Sequence, residues 1–329
     1  MNHIPVMLDH VVDHLAPEAG SVILDGTFGG GGYSRRILQS ADCTVLGVDQ
    51  DPDAIARSEP LKAEFGDRFQ LLPGRFGDLS KLASEAGYAA LDGVVLDLGV
   101  SSFQLDQADR GFSFMRDGPL DMRMSKSGPS AADVVNEARE GDLADIIFQL
   151  GEERDSRRIA RRIVDARKTE TFESTLQLAE LIEKAVGGRR GKKTHPATKT
   201  FQALRMFVND ELGQLQSALQ AAEVAVKEGG RFVVVTFHSL EDRMVKSFFA
   251  ERSGKQEGGS RFMPEVKSTG PQPTFENVRR VTAPDTAEIE TNVRARSSRL
   301  RSAIRTSEPA WDKEFPLSVK LPDLDEVVS

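Results

Sequence analysis

Short apolar runs recur along the chain and predict the strands of a buried sheet. Each run is rich in Val, Ile, Leu or Phe and has turn residues nearby; the five runs are residues 22–24, 45–48, 69–72, 94–98 and 232–237. Unbroken apolar runs of this length are typical of parallel strands, which are covered on both faces. Helical patterns separate the first four runs, so we predict an α/β fold with a doubly wound sheet.

A long helical stretch separates the fourth apolar run from the fifth. It contains four segments with helical spacing, residues 142–150, 157–167, 175–185 and 201–212. One crossover connection does not need that length, which predicts an inserted all-helical domain. We expect a main domain in two parts, residues 1–105 and 201–310, an insertion at 106–200 and a C-terminal tail at 311–329. A crossover helix at 217–227, ended by Gly229-Gly230, would resume the main domain.

The composition is that of a soluble globular protein. Of 329 residues, 39% are hydrophobic and 29% are charged, and no apolar stretch is long enough to cross a membrane. The N-terminus has no signal-peptide pattern, so we expect a cytoplasmic protein without a membrane partner. The net charge of −8 means that any nucleic-acid contact is local. A single cysteine, Cys43, excludes an internal disulfide, a thiolate zinc site and an iron–sulfur cluster, and we predict no metal site.

A glycine-rich turn follows the first predicted strand and is a candidate cofactor site. It reads DGTFGGGGYS at residues 25–34, and glycines let a ligand approach the backbone closely. Counted from Gly29 or Gly30, the third glycine of a dinucleotide-binding motif falls on Ser34 or Arg35, which disfavours a nicotinamide- or flavin-dependent oxidoreductase. Asp49, at the end of the second strand, is placed to accept hydrogen bonds from ribose hydroxyls. A cofactor with a ribose, an adenine and an amino-acid tail fits, although such turns also serve chain reversal alone.

Candidate chemistry follows the third, fourth and fifth strands. Phe76 could stack on an adenine or belong to the core. An amine conjugated to an aromatic ring, such as that of cytosine, is a poor nucleophile that must be held in line and relieved of its proton. Asp97 and the Ser101 hydroxyl are suitable acceptors; alternatively, Asp97 only binds the cofactor and the serine caps the next helix. His238 could relay a proton or be ordered by Glu241 or Asp242 for structural reasons.

Two further observations narrow the substrate chemistry. Methylation of a cytosine ring carbon needs a thiolate nucleophile, and Cys43 is poorly placed for that role. Basic residues cluster at 157–168, at 189–193 and at 294–305, where they could neutralise phosphates. The first cluster could equally be the solvated face of a helix. The glycine-hinged second cluster is typical of a phosphate-contacting loop, and we assign RNA contact to Arg190, Lys192, Lys193 and the neighbouring His195.

Motifs spread over nearly the whole chain resemble those of the RsmH (MraW) family, the bacterial 16S ribosomal RNA cytosine-N4 methyltransferases. They are HIPVML at 3–8, the glycine turn at 25–34, DLGVSSFQLD at 97–106, RGFSF at 110–114, LDMRM at 120–124, GEE at 151–153, HPATKTFQALR at 195–205, FHSLEDR at 237–243 and NVRARS at 292–297. The family often has Arg at the position of Gly30 and His at that of Tyr33. It also lacks the Asp/Asn-Pro-Pro-Tyr turn of most amino-methyltransferases.

The resemblance implies a class I (Rossmann-like) methyltransferase fold with an inserted helical domain that helps to recognise RNA. It implies S-adenosylmethionine as cofactor and methylation of a cytidine N4 in the decoding region of 16S ribosomal RNA, near the P site. The matching cofactor-contacting positions are Gly31, Gly32, Tyr33, Asp49, Phe76, Asp97 and Gln104. We assign further RNA contacts to basic residues of the shared motifs, namely Arg110, Arg205, Arg294 and Arg296.

A second hypothesis is a non-catalytic ribosome-assembly factor that uses the sheet as a scaffold to bind RNA. Binding of labelled S-adenosylmethionine to the purified chain would separate this hypothesis from an enzyme. On either hypothesis the partner is 16S ribosomal RNA or the small ribosomal subunit. The sequence leaves the oligomeric state open, a homodimer included.

Overall fold

The computed structural model describes residues 5–189, 191, 194–254, 270–279, 282–317 and 319–328. The contacts between residues divide the chain into two compact units. The first unit comprises Met1–Gly99 and Gly213–Pro316, and the second comprises Val100–Leu212 and Leu317–Ser329. Each unit is therefore built from two separate stretches of the chain.

The first unit contains a seven-stranded sheet. Its strands are β1 (Val22–Asp25), β2 (Thr44–Asp49), β3 (Phe69–Pro73), β4 (Leu91–Asp97), β5 (Val226–Thr236), β6 (Phe275–Glu276) and β7 (Arg299–Arg305). They lie in the order β3-β2-β1-β4-β5-β7-β6. The pairings among β1 to β5 are parallel, whereas β7 is antiparallel to both of its neighbours. The carboxyl ends of β1 to β5 therefore meet at one edge of the sheet.

Helices cover both faces of this sheet. Numbered along the whole chain, those of the first unit are α1 (Leu8–Leu15), α2 (Gly32–Ser40), α3 (Pro52–Arg57), α4 (Glu59–Phe65), α5 (Leu79–Glu85), α12 (Glu211–Ala225, in this unit from Gly213 onward), α13 (Ser239–Arg252) and α14 (Thr286–Thr291). Val11 of α1 and Ile37 of α2 share a buried core with Ile23 of β1. Phe232 of β5 packs against Phe249 of α13, with ring centroids 5.5 Å apart. Because side chains alternate along a strand, both faces of β5 are buried.

The five predicted strands are confirmed as β1 to β5, but the sequence pattern did not predict β6 or β7. Strand β7 lies in the arginine-rich run, where the buried Leu300 stands between Arg299 and Arg301. The predicted helix stop at Gly229-Gly230 is wrong, because both glycines lie inside β5. Gly229 has a φ of 76°, close to the irregular part of the β4–β5 pairing. These glycines therefore serve a distortion of the strand.

The second unit is helical. Its helices are α6 (Ser102–Asp106), α7 (Ala131–Glu137), α8 (Glu140–Gly151), α9 (Ser156–Ala166), α10 (Thr175–Ala185), α11 (Thr198–Val208) and α15 (Leu324–Val327). Helix α8 packs against both α9 and α11, and α15 contacts α7. The four predicted helical segments are confirmed as α8 to α11. No helix within the described ranges is long and apolar enough to span a membrane.

The contact-based division differs from the predicted domain boundaries at residues 106 and 200. Helix α11 belongs to the helical unit because its buried face packs on α8, and Gln202 donates a hydrogen bond to the Leu150 carbonyl at 3.3 Å. Residues from 317 onward also belong to that unit rather than forming a separate tail.

Candidate cofactor and active site

The sheet of the first unit gathers polar residues at the carboxyl ends of adjacent strands. Asp25 ends β1, Asp49 ends β2 and Asp97 ends β4, while Phe76 follows β3 and His238 follows β5. The strand register aligns Asp49 with Pro73 and Asp97 with Val235, so the strands end at similar heights. This edge is where open α/β sheets bind their ligands.

The glycine turn is shaped by its own backbone and by a neighbouring segment. Gly29 and Gly31 have φ values of 54° and 73°, in the left-handed region that glycine adopts without strain. A Cβ on Gly31 would lie 2.8 Å from the Phe28 ring, and one on Gly32 would lie 2.1 Å from Cγ of Pro5. The sequence interpretation considered ligand approach and chain reversal; the structure shows in addition that Gly32 makes room for Pro5.

Asp49 ties the second strand to the glycine turn. Its Oδ2 accepts a hydrogen bond from the Gly29 N–H at 2.7 Å, and its Oδ1 accepts one from the Asp51 N–H at 2.9 Å. Burial raises the pKa of the Asp49 carboxyl, and these two backbone donors oppose that rise. Each carboxylate oxygen keeps acceptor capacity beyond its single backbone partner, as recognition of ribose hydroxyls requires.

Asp25 forms hydrogen bonds that hold the glycine turn in place. It is fully buried and accepts hydrogen bonds from Ser34 Oγ at 2.7 Å and from the Thr27 N–H at 3.3 Å. Thr27 Oγ1 in turn accepts the Asp97 N–H at 2.7 Å, which joins the turn to the end of β4. Burial raises the pKa of Asp25 to about 6, against the effect of its hydrogen bonds.

Asp97 carries the least satisfied acceptor at this edge. Its Oδ1 atom is buried and has no hydrogen-bond partner among the residues that the structure describes. Burial raises the pKa of Asp97 well above its usual range, and the nearby carboxylates of Asp25 and Glu241 raise it further. The nearby Tyr33 hydroxyl opposes this rise. Such a group of buried carboxylates favours a positively charged ligand.

Tyr33 connects this cluster to the N-terminal segment. The ring is buried, and its hydroxyl donates a hydrogen bond to the Val6 carbonyl. Burial raises the pKa of the Tyr33 hydroxyl well above its ordinary value, with contributions from Asp97 and Asp25. The neighbouring Met7, at a φ of 53°, donates its N–H to the Glu288 carboxylate. The sequence interpretation missed this role of Val6 and Glu288; the HIPVML motif was the only signal for it.

His238 caps helix α13 together with Glu241. The His238 Nδ1 accepts the Glu241 N–H, and Glu241 Oε2 accepts the backbone N–H of Phe237 at 3.0 Å. The interpretation that Glu241 orders this histidine is confirmed. Asp242, the other candidate, instead accepts hydrogen bonds from Arg301 at 2.7 Å and 3.1 Å.

The buried Cys43 does not have the surroundings of a catalytic thiolate. It is 1% exposed, and burial raises the pKa of its thiol. A raised pKa keeps the sulfur protonated and poorly nucleophilic. The structure therefore adds to the sequence argument against methylation through a cysteine adduct.

In the second unit, Ser101 and Gln104 cap helix α6. Ser101 Oγ accepts the Gln104 N–H at 3.2 Å, and Gln104 Oε1 accepts the Ser101 N–H at 3.0 Å. This is the helix-capping alternative considered for the serine. His195 packs on Phe114 with ring centroids 4.7 Å apart, and its Nε2 lies 3.3 Å from Glu183.

Two of the predicted RNA-contacting residues, Arg110 and Arg205, form hydrogen bonds within the protein. Arg110 is 5% exposed and donates to the carbonyls of Arg123 and Met124 at 3.0 Å. Arg205 forms two hydrogen bonds with Glu211, at 2.7 Å and 2.8 Å. Both guanidinium groups already have partners within the protein. This arrangement does not support the prediction that they contact phosphates.

The remaining predicted contacts are exposed or lie outside the described residues. Arg294 and Arg296 are exposed on a short 3₁₀ helix, Val293–Ser297. Arg190, Lys192 and Lys193 lie outside the described residues. Strand β7 uses other arginines of the third cluster internally: Arg301 pairs with Asp242, and the buried Arg305 donates to backbone carbonyls.

The fold and the site together define a class of protein. A seven-stranded sheet of this order, with a glycine turn after β1 and carboxylates at the ends of β2 and β4, is the class I methyltransferase fold. The model of the MraW methylase family matches residues 1–306, and the chain belongs to that family.

Similar proteins cover almost the full length of the chain. It is 60% identical over 326 residues to a ribosomal RNA small subunit methyltransferase H of Hyphomonas neptunium, a match that covers 99% of this chain and 95% of that protein. The protein of the same name from Caulobacter vibrioides is 54% identical over 311 residues, covering 94% and 97%. A solved rRNA methylase from Streptococcus thermophilus has a TM-score of 0.41 and 9% identity, covering 93% of this chain and 99% of that chain.

Proposed function

We propose that the protein transfers a methyl group from S-adenosylmethionine to the N4 amine of a cytidine in the decoding region (P site) of 16S ribosomal RNA. Family membership supports methyl transfer, and the names of the relatives support ribosomal RNA of the small subunit as the substrate. The cytosine amine and the decoding region follow from the resemblance to RsmH enzymes. The observation that carries the proposal is the buried Asp97 Oδ1, an acceptor without a partner among the described residues.

The chemistry of the first unit fits this cofactor. Bound S-adenosylmethionine supplies a methyl group made electrophilic by a positively charged sulfur. The carboxylates of Asp25, Asp97 and Glu241 provide the negative charge that such a cation requires. Asp49 would accept the ribose hydroxyls, and Phe76 would contact the adenine. Of the cofactor contacts that the resemblance implies, Gly31, Gly32, Tyr33, Asp49, Phe76 and Asp97 lie in this unit.

Asp97 would hold the substrate amine. A carboxylate that accepts a hydrogen bond from the amine orients its lone pair and takes up the positive charge that develops on nitrogen. In the free protein, burial and like charges raise the pKa of Asp97. An adjacent cation lowers that pKa again, so Asp97 becomes an ionised acceptor when the cofactor site is filled. The same carboxylate then takes the proton that the methylated amine releases.

Further proposed roles concern Ser101 and the basic residues. Ser101 could add a second acceptor for the amine, although its oxygen already caps α6. We keep His195, Arg294, Arg296 and the loop residues 190, 192 and 193 as proposed contacts to the RNA backbone, where basic groups give salt-dependent binding.

The test is methyl transfer to small ribosomal subunits that lack the modification, followed by nucleoside analysis. We expect N4-methylcytidine in the decoding region, and Asp97→Asn should lower turnover by about 100-fold or more, as expected for a charged group lost from the reacting centre. A methyl group on carbon 5 or on ribose would overturn the proposal. Full turnover in Asp97→Asn and Ser101→Ala with unchanged cofactor affinity would refute the residue roles. Binding of the cofactor without any turnover would favour a ribosome-assembly factor.

A further inference from the structure

Two buried polar atoms at the sheet edge have no hydrogen-bond partner within the described part of the chain. They are Asp97 Oδ1 and His238 Nε2. The described part of the chain contains four such side-chain atoms. Buried polar atoms are nearly always paired in folded proteins, because an unpaired one costs free energy. Two such atoms at the edge where α/β sheets bind ligands therefore indicate groups that form hydrogen bonds with a bound ligand.

The hydrogen-bond pattern assigns the hydrogen of the neutral His238 ring to Nε2. The ring Nδ1 accepts the backbone N–H of Glu241 and so cannot itself carry a hydrogen. The Nε2 atom lies 2.9 Å from Glu241 Oε1, and a neighbouring carboxylate also favours a hydrogen there. This contact does not have hydrogen-bond geometry, so the Nε2–H can still donate to a further acceptor. His238 therefore offers a donor without a hydrogen-bond partner among the described residues, which favours a binding role over the proton relay considered from the sequence.

Asp97 and His238 belong to one local arrangement. Strands β4 and β5 are paired, with Asp97 beside Val235, and His238 follows three positions further along. Glu241 contacts the His238 ring and also raises the pKa of Asp97 through its charge. The edge thus presents one unused acceptor and one unused donor within the same unit.

We propose that His238 is a specificity-determining residue that donates its Nε2–H to ring atom N3 of the target cytosine, while Asp97 accepts from the adjacent N4 amine. This inference rests on the proposed function, because it assumes that the base enters at this edge. Cytosine presents a donor at N4 beside an acceptor at N3, which complements the two unused atoms. Uracil presents the reverse pattern, so both protein groups would stay unpaired, and a site of this kind rejects such a base strongly.

Two substitutions separate base recognition from helix capping. In His238→Asn, the side-chain oxygen keeps the cap of α13, because Asn is among the best capping residues, but the donor no longer reaches the Nε2 position. In His238→Gln, the amide N–H is placed close to the former Nε2 position, while the short capping contact is lost. We expect kcat/KM for small subunits to fall about 10- to 100-fold in His238→Asn, the effect of leaving one buried hydrogen bond unmade. His238→Gln should recover most of that loss.

A purely structural histidine would give the opposite order, with His238→Asn active and His238→Gln impaired, and that result would overturn the proposal. Thermal unfolding and cofactor affinity, measured for both variants, show whether either substitution acts through the fold. If His238→Asn lost cofactor affinity in proportion to its activity, the histidine would serve the cofactor site and the proposal would also be wrong.

A modified substrate tests the contact atom itself. Small subunits reconstituted with 3-deazacytidine at the methylated position lack the N3 acceptor but keep the amine. Wild-type protein should methylate them about 10- to 100-fold more slowly than normal subunits, whereas His238→Asn should show little further loss, because the same contact is already missing. Equal losses in both proteins would refute the contact. Failure of the proposed function would be seen separately, as a wild-type product other than N4-methylcytidine.

Discussion

Asp25 is predicted to lower the stability of the free protein in return for binding a cation. Burial raises its pKa from 3.8 to about 6, a difference of about 2 pKa units, which corresponds to about 3 kcal/mol at neutral pH. Asp25→Asn removes this ionisation cost but cannot accept both existing hydrogen bonds, so it loses about 1 kcal/mol. We therefore expect the variant to be more stable than the wild type by about 2 kcal/mol at about pH 8.

The sign of the pH dependence follows from the raised pKa. The folded protein binds the Asp25 proton more tightly than the unfolded chain, so this group destabilises the fold progressively as the pH rises from about 4 to about 6. Protonation relieves part of the cost at about pH 5, where the advantage of Asp25→Asn should shrink to less than about 1 kcal/mol. With saturating S-adenosylmethionine the advantage should disappear or reverse, because the cation stabilises the carboxylate and the variant binds it more weakly.

Urea unfolding at the two pH values, with and without cofactor, measures these differences. Ser34→Ala is the matched control, since it removes the 2.7 Å hydrogen bond to Asp25 and keeps the charge. It should lower the free energy of unfolding at about pH 8 by about 1 kcal/mol. The reasoning would be refuted if Asp25→Asn were destabilised equally at both pH values, since the carboxylate would then act only as a hydrogen-bond acceptor.

Two further substitutions test contacts within the first unit. In Gly32→Ala, the new Cβ would lie 2.1 Å from Pro5, so the N-terminal segment must move; we expect about 10-fold weaker cofactor binding by calorimetry, and unchanged affinity would contradict the role of that segment. In Arg252→Met, the buried Glu223 loses a partner 3.0 Å away, and the free energy of unfolding should fall by about 3–5 kcal/mol. Adding Glu223→Gln should restore part of that loss, and a loss under about 1 kcal/mol would show that the pair is not coupled.

The sequence predicted the part of the fold that depends on local pattern. The apolar runs gave β1 to β5, because a strand buried on both faces needs an apolar residue at nearly every position. Helical spacing gave α8 to α11 for the same kind of reason. Strand β7 was not predicted because its sequence is RLRSAIR, and the arginines suggested a basic patch rather than a strand.

Residue roles at the site were predicted only where position along a strand decides them. The glycine turn, Asp49 and Asp97 could be assigned to the sheet edge, because parallel strands end together. No sequence signal distinguished the buried Asp25 carboxyl or the donor on His238, and the HIPVML motif marked the segment of Val6 without showing its bond from Tyr33. Each depends on which groups tertiary packing brings together and which it leaves unpaired.

The amino-acid sequence by itself determined the class of fold, the long helical stretch between β4 and β5 and the position of the glycine turn, because these follow from local patterns of a few residues. Only the tertiary structure decided what the charged residues do. Arg301 pairs with Asp242 from 59 positions away, and Arg252 pairs with Glu223 across 29 positions. A charge buried by such distant neighbours needs a partner, whereas the same residue type exposed to water does not, and local sequence cannot tell the two apart.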